Sequence, residues 1–137
     1  MRITKVKDGY WHHNHAVSKC LYHIVFCTKY RRPVLDAKMQ KRIHVLVKSK
    51  QQDLRFQLVE METMPDHVHL LLQCDPSLGI NSIIRRIKGY LAKMLRDEFP
   101  SLKSRLPCLW TRGRFIATVG TVSLERVKQY IQEQKNV

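Results

Sequence analysis

Long apolar runs are missing from this 137-residue chain. A bilayer-spanning helix needs roughly 20 consecutive apolar residues, and no stretch approaches that length. The start, Met1-Arg2-Ile3-Thr4-Lys5-Val6-Lys7-Asp8, is charged and holds no apolar core of signal-peptide length. The expectation is a soluble, cytoplasmic protein with no membrane partner. Cysteine is scarce and poorly spaced for chemistry: Cys20, Cys27, Cys74 and Cys108 form no Cys-x-x-Cys pair. That argues against a zinc ribbon or a disulfide framework and for reduced thiols packed as small hydrophobes. A Gly-rich phosphate loop is also absent, as are internal repeats and low-complexity tracts. Acids are few: 11 Asp and Glu stand against 25 Lys and Arg, for a formal charge of +14 and a pI near 10.0.

What is present is a normal hydrophobic content, 44%, enough for one core in a single domain over 1–137. The positive charge runs along the whole chain, so a folded polyanion-binding domain is expected, with nucleic acid the favoured partner over a membrane surface. Residues 1–19, with Tyr10, Trp11, His12, His13 and His15, read as a basic N-terminal arm. The stretch 20–28 is apolar on both alternating faces and suits a central strand. Lys29-Tyr30-Arg31-Arg32 follows it; three cations and an aromatic at a strand end suit either phosphate gripping with base stacking or a solvated loop.

Asp36 is placed to cap a helix with Met39, Ile43, Leu46 and Val47 on its core side. A strand over 54–63 and a Met64-Pro65-Asp66 turn lead into a second strand that runs to about Cys74. Ile80, Ile83, Ile84, Ile87, Leu91, Met94 and Leu95 then repeat at helical spacing over 80–98, with a basic outer face that includes Arg85, Arg86 and Lys88. Pro100 ends that helix; a basic loop, a strand over 115–119 and a last helix capped by Ser123 complete the chain. The order strand, helix, strand, strand, helix, strand, helix predicts an α+β fold. It is the split βαβ (ferredoxin-like) arrangement: an antiparallel sheet, helices on one face, and an extra C-terminal helix.

Within this frame, Asp66-His67-Val68-His69-Leu70-Leu71-Leu72 carries the most pointed signal. Strand side chains alternate, so His67 and His69 share one face, about 7 Å apart at the backbone, while Val68, Leu70 and Leu72 take the other. Such a pair is either half a metal site or two polar residues on an open sheet face. Asp66, next in sequence to His67, faces away in a regular strand and reads as a turn residue. Glu60 and Glu62 face the histidines in one hairpin register and not in the other. On the last helix, Tyr130 and Gln134 are four apart and lie on one side.

Five blocks taken together carry a resemblance: residues 22–32 (Tyr-His-Ile-Val-Phe-Cys-Thr-Lys-Tyr-Arg-Arg), 64–71, Ile87-Lys88-Gly89, Leu109-Trp110 with 115–120, and 127–134. In that order they resemble the single-tyrosine HUH transposases of bacterial and archaeal insertion sequences, the IS200-like family, over nearly the whole chain from about His15. The resemblance implies that His67 and His69 hold a divalent metal, Mg²⁺ or Mn²⁺, completed by Gln134. It implies that Tyr130 attacks a DNA phosphate and stays on the 5′ side of the break. It also implies a homodimer acting on single-stranded DNA with hairpins at the element ends; Lys29, Tyr30, Arg31, Arg32, Arg85, Arg86 and Lys88, read from their charge and aromatic character, are the candidate DNA contacts. After Lys88-Gly89 the chain departs from the family's small hydroxyl residues with Tyr90, Leu91 and Ala92. Two other readings of the residues are a noncatalytic single-stranded nucleic-acid-binding module and a metal-dependent nuclease with no covalent step.

Overall fold

One strand that is apolar on both faces, one that alternates, and two helices with an isoleucine and leucine stripe determine where the core lies. The computed structural model describes residues 5–7, 10–13, 16–118 and 124–136. Three short antiparallel strands come first: β1 (Lys5–Lys7), β2 (Tyr10–His13) and β3 (Ala16–Ser18). The stretch expected as a basic arm is therefore, where described, a small meander.

The main sheet is built from β4 (Leu21–Cys27), β5 (Phe56–Met64), β6 (His67–Cys74) and β7 (Phe115–Thr118). Its order is β5-β6-β4-β7 with every neighbouring pair antiparallel, and β4 is central as its two-faced apolar sequence predicts. Helix α1 (Ala37–Ser49) starts at Asp36, whose carboxylate accepts the Met39 backbone N–H at 2.9 Å. Helix α3 (Ile80–Glu98) follows β6. Both lie on one face of the sheet, where Ile24 and Phe26 of β4 and Val68, Leu70 and Leu72 of β6 are fully buried. They share one cluster with Met39, Ile43, Leu46 and Val47 of α1 and with Ile83, Ile84, Ile87, Leu91 and Leu95 of α3.

Boundaries differ from expectation in two places. Leu54 belongs to a short helix, α2 (Gln51–Leu54), because Arg55 takes a left-handed φ of 55° that ends the helix and delays the strand to Phe56. The basic loop after Pro100 contains one helical turn, α4 (Ser101–Arg105), anchored by the fully buried Leu102. The last helix is α5 (Leu124–Glu133), continued by a 3-10 turn at Gln134–Asn136. The Ser123 cap, like Val119 at the end of the expected last strand, lies outside the described residues.

Candidate active site

The sheet face away from α1 and α3 carries the two histidines. In the β4–β6 register, Cys27 stands opposite His67 and Val25 opposite His69. On the other side the register runs unbroken from the turn, Met64 pairing with His67, Glu62 with His69 and Glu60 with Leu71, and becomes irregular only beyond Glu60, where Leu58 pairs with Leu72. The register thus settles the question left open by the hairpin: both Glu60 and Glu62 line a small cavity with His23 and His69. His23 Nδ1 lies 3.2 Å from His69 Nε2, with one ring donating to the other. Burial first, and then neighbouring His23, push the His69 pKa below its ordinary value, against a pull from Glu62.

His67 is held differently. Its Nδ1–H donates to Asp66 Oδ1 at 2.8 Å, which leaves Nε2 as the free nitrogen. Asp66 meets His67 because it belongs to the turn ahead of β6, where strand alternation does not apply. The other carboxylate oxygen, Oδ2, is 3.0 Å from Arg31 Nε. Arg31 in turn donates from Nη1 to the Ile131 carbonyl at 3.2 Å and to Gln132 Oε1 at 3.3 Å.

Those last contacts belong to α5, which covers part of this face of its own chain. Tyr130 and Ile131 pack on the fully buried pair Val25 and Cys27, and the Tyr130 ring centroid is 5.3 Å from that of Phe115. Val25 and Cys27 are the cross-strand partners of His69 and His67, so the tyrosine rests about one strand spacing from the histidine pair. Its hydroxyl is buried and has no hydrogen-bond partner among the described residues. A methyl group built on Gly113 would stand 3.4 Å from that hydroxyl and 3.8 Å from Gln134 Oε1, so tyrosine and glutamine share the space over this glycine. Burial, reinforced by Cys27, raises the phenol to about 12 against the opposing charge of Arg114.

The Gly113 loop is strapped from behind by Lys88, whose ammonium donates to the carbonyls of Thr111 at 2.8 Å, Gly113 at 3.1 Å and Arg112 at 3.4 Å. Trp110 Nε1 returns a hydrogen bond to the Lys88 carbonyl at 3.0 Å. Burial, and then Arg114, bring Lys88 down to about 8.

Comparison with known proteins returns the same fold and a family. A family model described as "Transposase IS200 like" matches residues 16–134. The chain belongs to the IS200-like transposase family. It is 31% identical over 115 residues to the ISDra2 transposase TnpA of Deinococcus radiodurans, covering 82% of each chain. It is 30% identical over 122 residues to the transposase for insertion sequence element IS200 of Salmonella typhimurium, covering 88% of this chain and 80% of the relative. A crystal structure of a Deinococcus radiodurans R1 protein described as a transposase superposes with a TM-score of 0.83 at 30% identity, over 90% of this chain and 97% of the other. The REP-associated tyrosine transposase bound to a REP hairpin shares the fold, with a TM-score of 0.55 at 12% identity over 82% of this chain and 62% of the other.

For this IS200-like transposase, His67 and His69 share the sheet face on which Tyr130 packs, and Tyr130 and Gln134 meet over Gly113. Among the expected DNA contacts, Tyr30, Arg32, Arg85 and Arg86 are exposed, and Lys29 is half-buried with its ammonium 5.0 Å from the centre of the Tyr30 ring. Arg31 and Lys88 are turned inward, their charged ends on Asp66, on α5 and on the 111–113 carbonyls. Sequence reasoning missed three parts of the site. Asp66 was legible only as a turn, and Gly113 as a loop glycine. His23 had a signal, being the one histidine in an apolar central strand and sharing a face with Val25. Among the described residues no three His, Cys, Asp or Glu side chains converge as a metal-holding group. His67 with its free Nε2, His69 and the amide oxygen of Gln134 are donors of a kind that could hold a divalent cation.

Proposed function

We propose that this transposase cleaves and rejoins single-stranded DNA through a covalent bond between Tyr130 and a 5′-phosphate. The observation that carries the reading is the buried, unpartnered Tyr130 hydroxyl lying over Val25 and Cys27, one strand from His69 and His67. An unsatisfied buried hydroxyl costs stability, about 1 to 3 kcal/mol, and its retention is accounted for when the group has a reaction partner.

In the step proposed, the phenol gives up its proton to solvent, its oxygen bonds to phosphorus, the bond from phosphorus to the 3′ oxygen breaks, and that oxygen takes a proton. With the phenol held near 12 it is protonated at rest, so attack requires that the proton leave as the new bond forms. His67, His69 and Gln134 would hold the divalent metal, Mg²⁺ or Mn²⁺; when bound, it makes the phosphate more electrophilic and offsets charge on the leaving oxygen. Two imidazoles favour Mn²⁺ over Mg²⁺, which prefers oxygen donors. Asp66 fixes the tautomer and direction of His67, and His23 helps orient the His69 ring. Phosphotyrosine conserves the phosphodiester energy, so the strand rejoins elsewhere by reversal of the same step. The hairpin seen with the REP-associated transposase supports structured single strands as substrate.

We also propose a homodimer, with the open edges β5 and β7 available for sheet-to-sheet pairing and two sites to hold two element ends. The hinge expected at Gly120 and Thr121, which would let α5 reach the partner's histidines, lies outside the described residues; in this structure α5 rests on its own sheet. The test is labelled single-stranded DNA with Mn²⁺, run on a denaturing gel. An adduct that survives denaturation is expected; cleavage with no adduct would mean a hydrolytic nuclease, and binding alone a noncatalytic module. Light scattering at working concentration is expected to give twice the chain mass, and a monomer would remove the dimer.

A further inference from the structure

Arg31 stands between the tyrosine helix and the histidine pair. We infer that it is a positioning residue that makes the seating of α5 and the orientation of His67 one coupled event, an inference that rests on the proposed roles of Tyr130 and His67.

The contacts run in a line. Arg31 Nη1 reaches the carbonyl of Ile131 in the last turn of α5, at 3.2 Å, and Gln132 Oε1 at 3.3 Å. Helix C-termini leave carbonyls unsatisfied and favour a cation, and α5 has no basic residue of its own in that turn. Arg31 supplies it from another element. Its Nε meets Asp66 Oδ2 at 3.0 Å, and Asp66 Oδ1 takes the His67 Nδ1–H at 2.8 Å. One carboxylate therefore serves both partners with different oxygens, and a rotation that improves one bond breaks the other.

The backbone shows that this placement is enforced. Tyr30 and Arg31 are consecutive non-glycine residues with φ of 57° and 50°, a conformation that is costly for a residue with a Cβ. The fully buried Thr28 holds the turn in place. Its carbonyl accepts from Arg31 N at 2.8 Å, and its hydroxyl reaches the Arg32 carbonyl at 2.7 Å and the Asp66 carbonyl at 3.2 Å. Thr28 N also donates to the Asp66 carbonyl at 3.0 Å. Arg31 and Asp66 are thus set against each other by main chain before their side chains meet. An ordinary surface ion pair contributes little and needs no strained turn. Here Arg31 and Asp66 are only 20% and 21% exposed, and the guanidinium is shared with a helix end. Departure of α5 would free Arg31, release Asp66 and let the His67 ring turn; by reciprocity, a freed Asp66 loosens α5.

The experiment reads each end of the line from the other, on the full chain, without metal or DNA. Nitrogen NMR above the ordinary histidine titration range reports the His67 tautomer, and amide hydrogen exchange reports α5. The wild type is expected to show His67 protonated at Nδ1. Arg31→Ala should mix the tautomers although it does not touch His67. Asp66→Asn should speed exchange in α5 about tenfold although it does not touch α5, because the amide still accepts from His67 but no longer holds Arg31; tenfold is the loss of one charge-assisted hydrogen bond. The double variant should be no worse than the more affected single one. An unchanged tautomer in Arg31→Ala together with unchanged α5 exchange in Asp66→Asn would overturn the inference. Exchange in β4 and α3 serves as the folding control. If Arg31→Ala loosens those elements, Arg31→Lys is read instead: an ammonium lacks the fork needed to serve both partners, so intact coupling there would overturn the inference equally. Because neither readout involves cleavage, coupling without a Tyr130 adduct would sink the proposed chemistry and leave the Arg31 link standing.

Discussion

The two faces of the same four strands are built by opposite rules. On the covered face Ile24, Phe26, Val68, Leu70 and Leu72 of the central pair are apolar and fully buried under α1 and α3, with Tyr22 partly buried at their edge. On the other face stand His23, Val25, Cys27, His67, His69 and Leu71, and of these Val25 and Cys27 are sealed, by Tyr130, Ile131 and Phe115. The first face holds the fold together without any one residue being special. The second is polar, incompletely covered and held by directional bonds, so its side chains are free to be chosen for chemistry. Stability and activity should therefore separate by face.

The sharpest break in that comparison is Tyr130→Phe. Adduct and strand cleavage are expected to vanish, while DNA binding stays. Urea unfolding should show stability unchanged or slightly raised, because the hydroxyl removed has no partner to lose. Cleavage at the wild-type rate would move the nucleophile to another residue or to water. Next come paired substitutions at adjacent positions of β6. Leu70→Ala should cost about 2 to 5 kcal/mol of stability, the range for a fully buried leucine. His69→Ala should cost about 1 kcal/mol or less, the size of one net hydrogen bond, and abolish metal-dependent cleavage. If His69→Ala unfolds the protein as Leu70→Ala does, the histidines belong to the core and the two faces do not divide as described.

Much of this division was legible in the sequence, because alternation and helical spacing are local. His67 and His69 sharing a face, the four buried positions of α1 and the stripe of α3 all follow from periods of 2 and 3.6 residues. What was hidden depends on direction at non-repeating positions. The side of the hairpin on which Glu60 falls turns on the two residues, Pro65 and Asp66, between Met64 and its partner His67, a turn length that no period announces. Asp66 and Arg31 meet because of a turn with two positive φ values, and nothing in Lys-Tyr-Arg-Arg marks that conformation. Arg31 and Lys88 were grouped with phosphate contacts because charge shows in a sequence and the direction of a long side chain does not.

A smaller effect tests whether the outer surface of the covered side also meets DNA. Arg85 and Arg86 are exposed on α3, away from the tyrosine. If they bind phosphates, Arg85→Ala with Arg86→Ala should lower the slope of log affinity against log salt by up to about 1.4, at about 0.7 for each phosphate of a single strand that is no longer neutralised. An unchanged slope in a binding titration would confine DNA to the open face.

Lys88 is where the two faces touch, and its titration gives the smallest effect. Its ammonium lies 5.9 Å from the centre of the Phe26 ring of the covered side, while its hydrogen bonds hold the loop behind Tyr130. Two influences oppose each other there: burial disfavours the charged form, and three carbonyls favour it. With the folded value near 8 against the usual 10.5, burial is the stronger. Between those two pH values the unfolded chain keeps the lysine proton and the folded one releases it, so stability should rise with pH across that window. Below about 8 both states are protonated and the burial penalty is full and constant. Lys88→Met has no proton to lose. Urea unfolding of both proteins near pH 8 and near pH 10, on either side of most of that window, should therefore show the wild type gaining on the variant as pH rises. If the wild type loses ground instead, the carbonyls of Thr111, Arg112 and Gly113 hold the ammonium more strongly than burial expels it, and the loop behind Tyr130 is fixed by charge and not merely by packing.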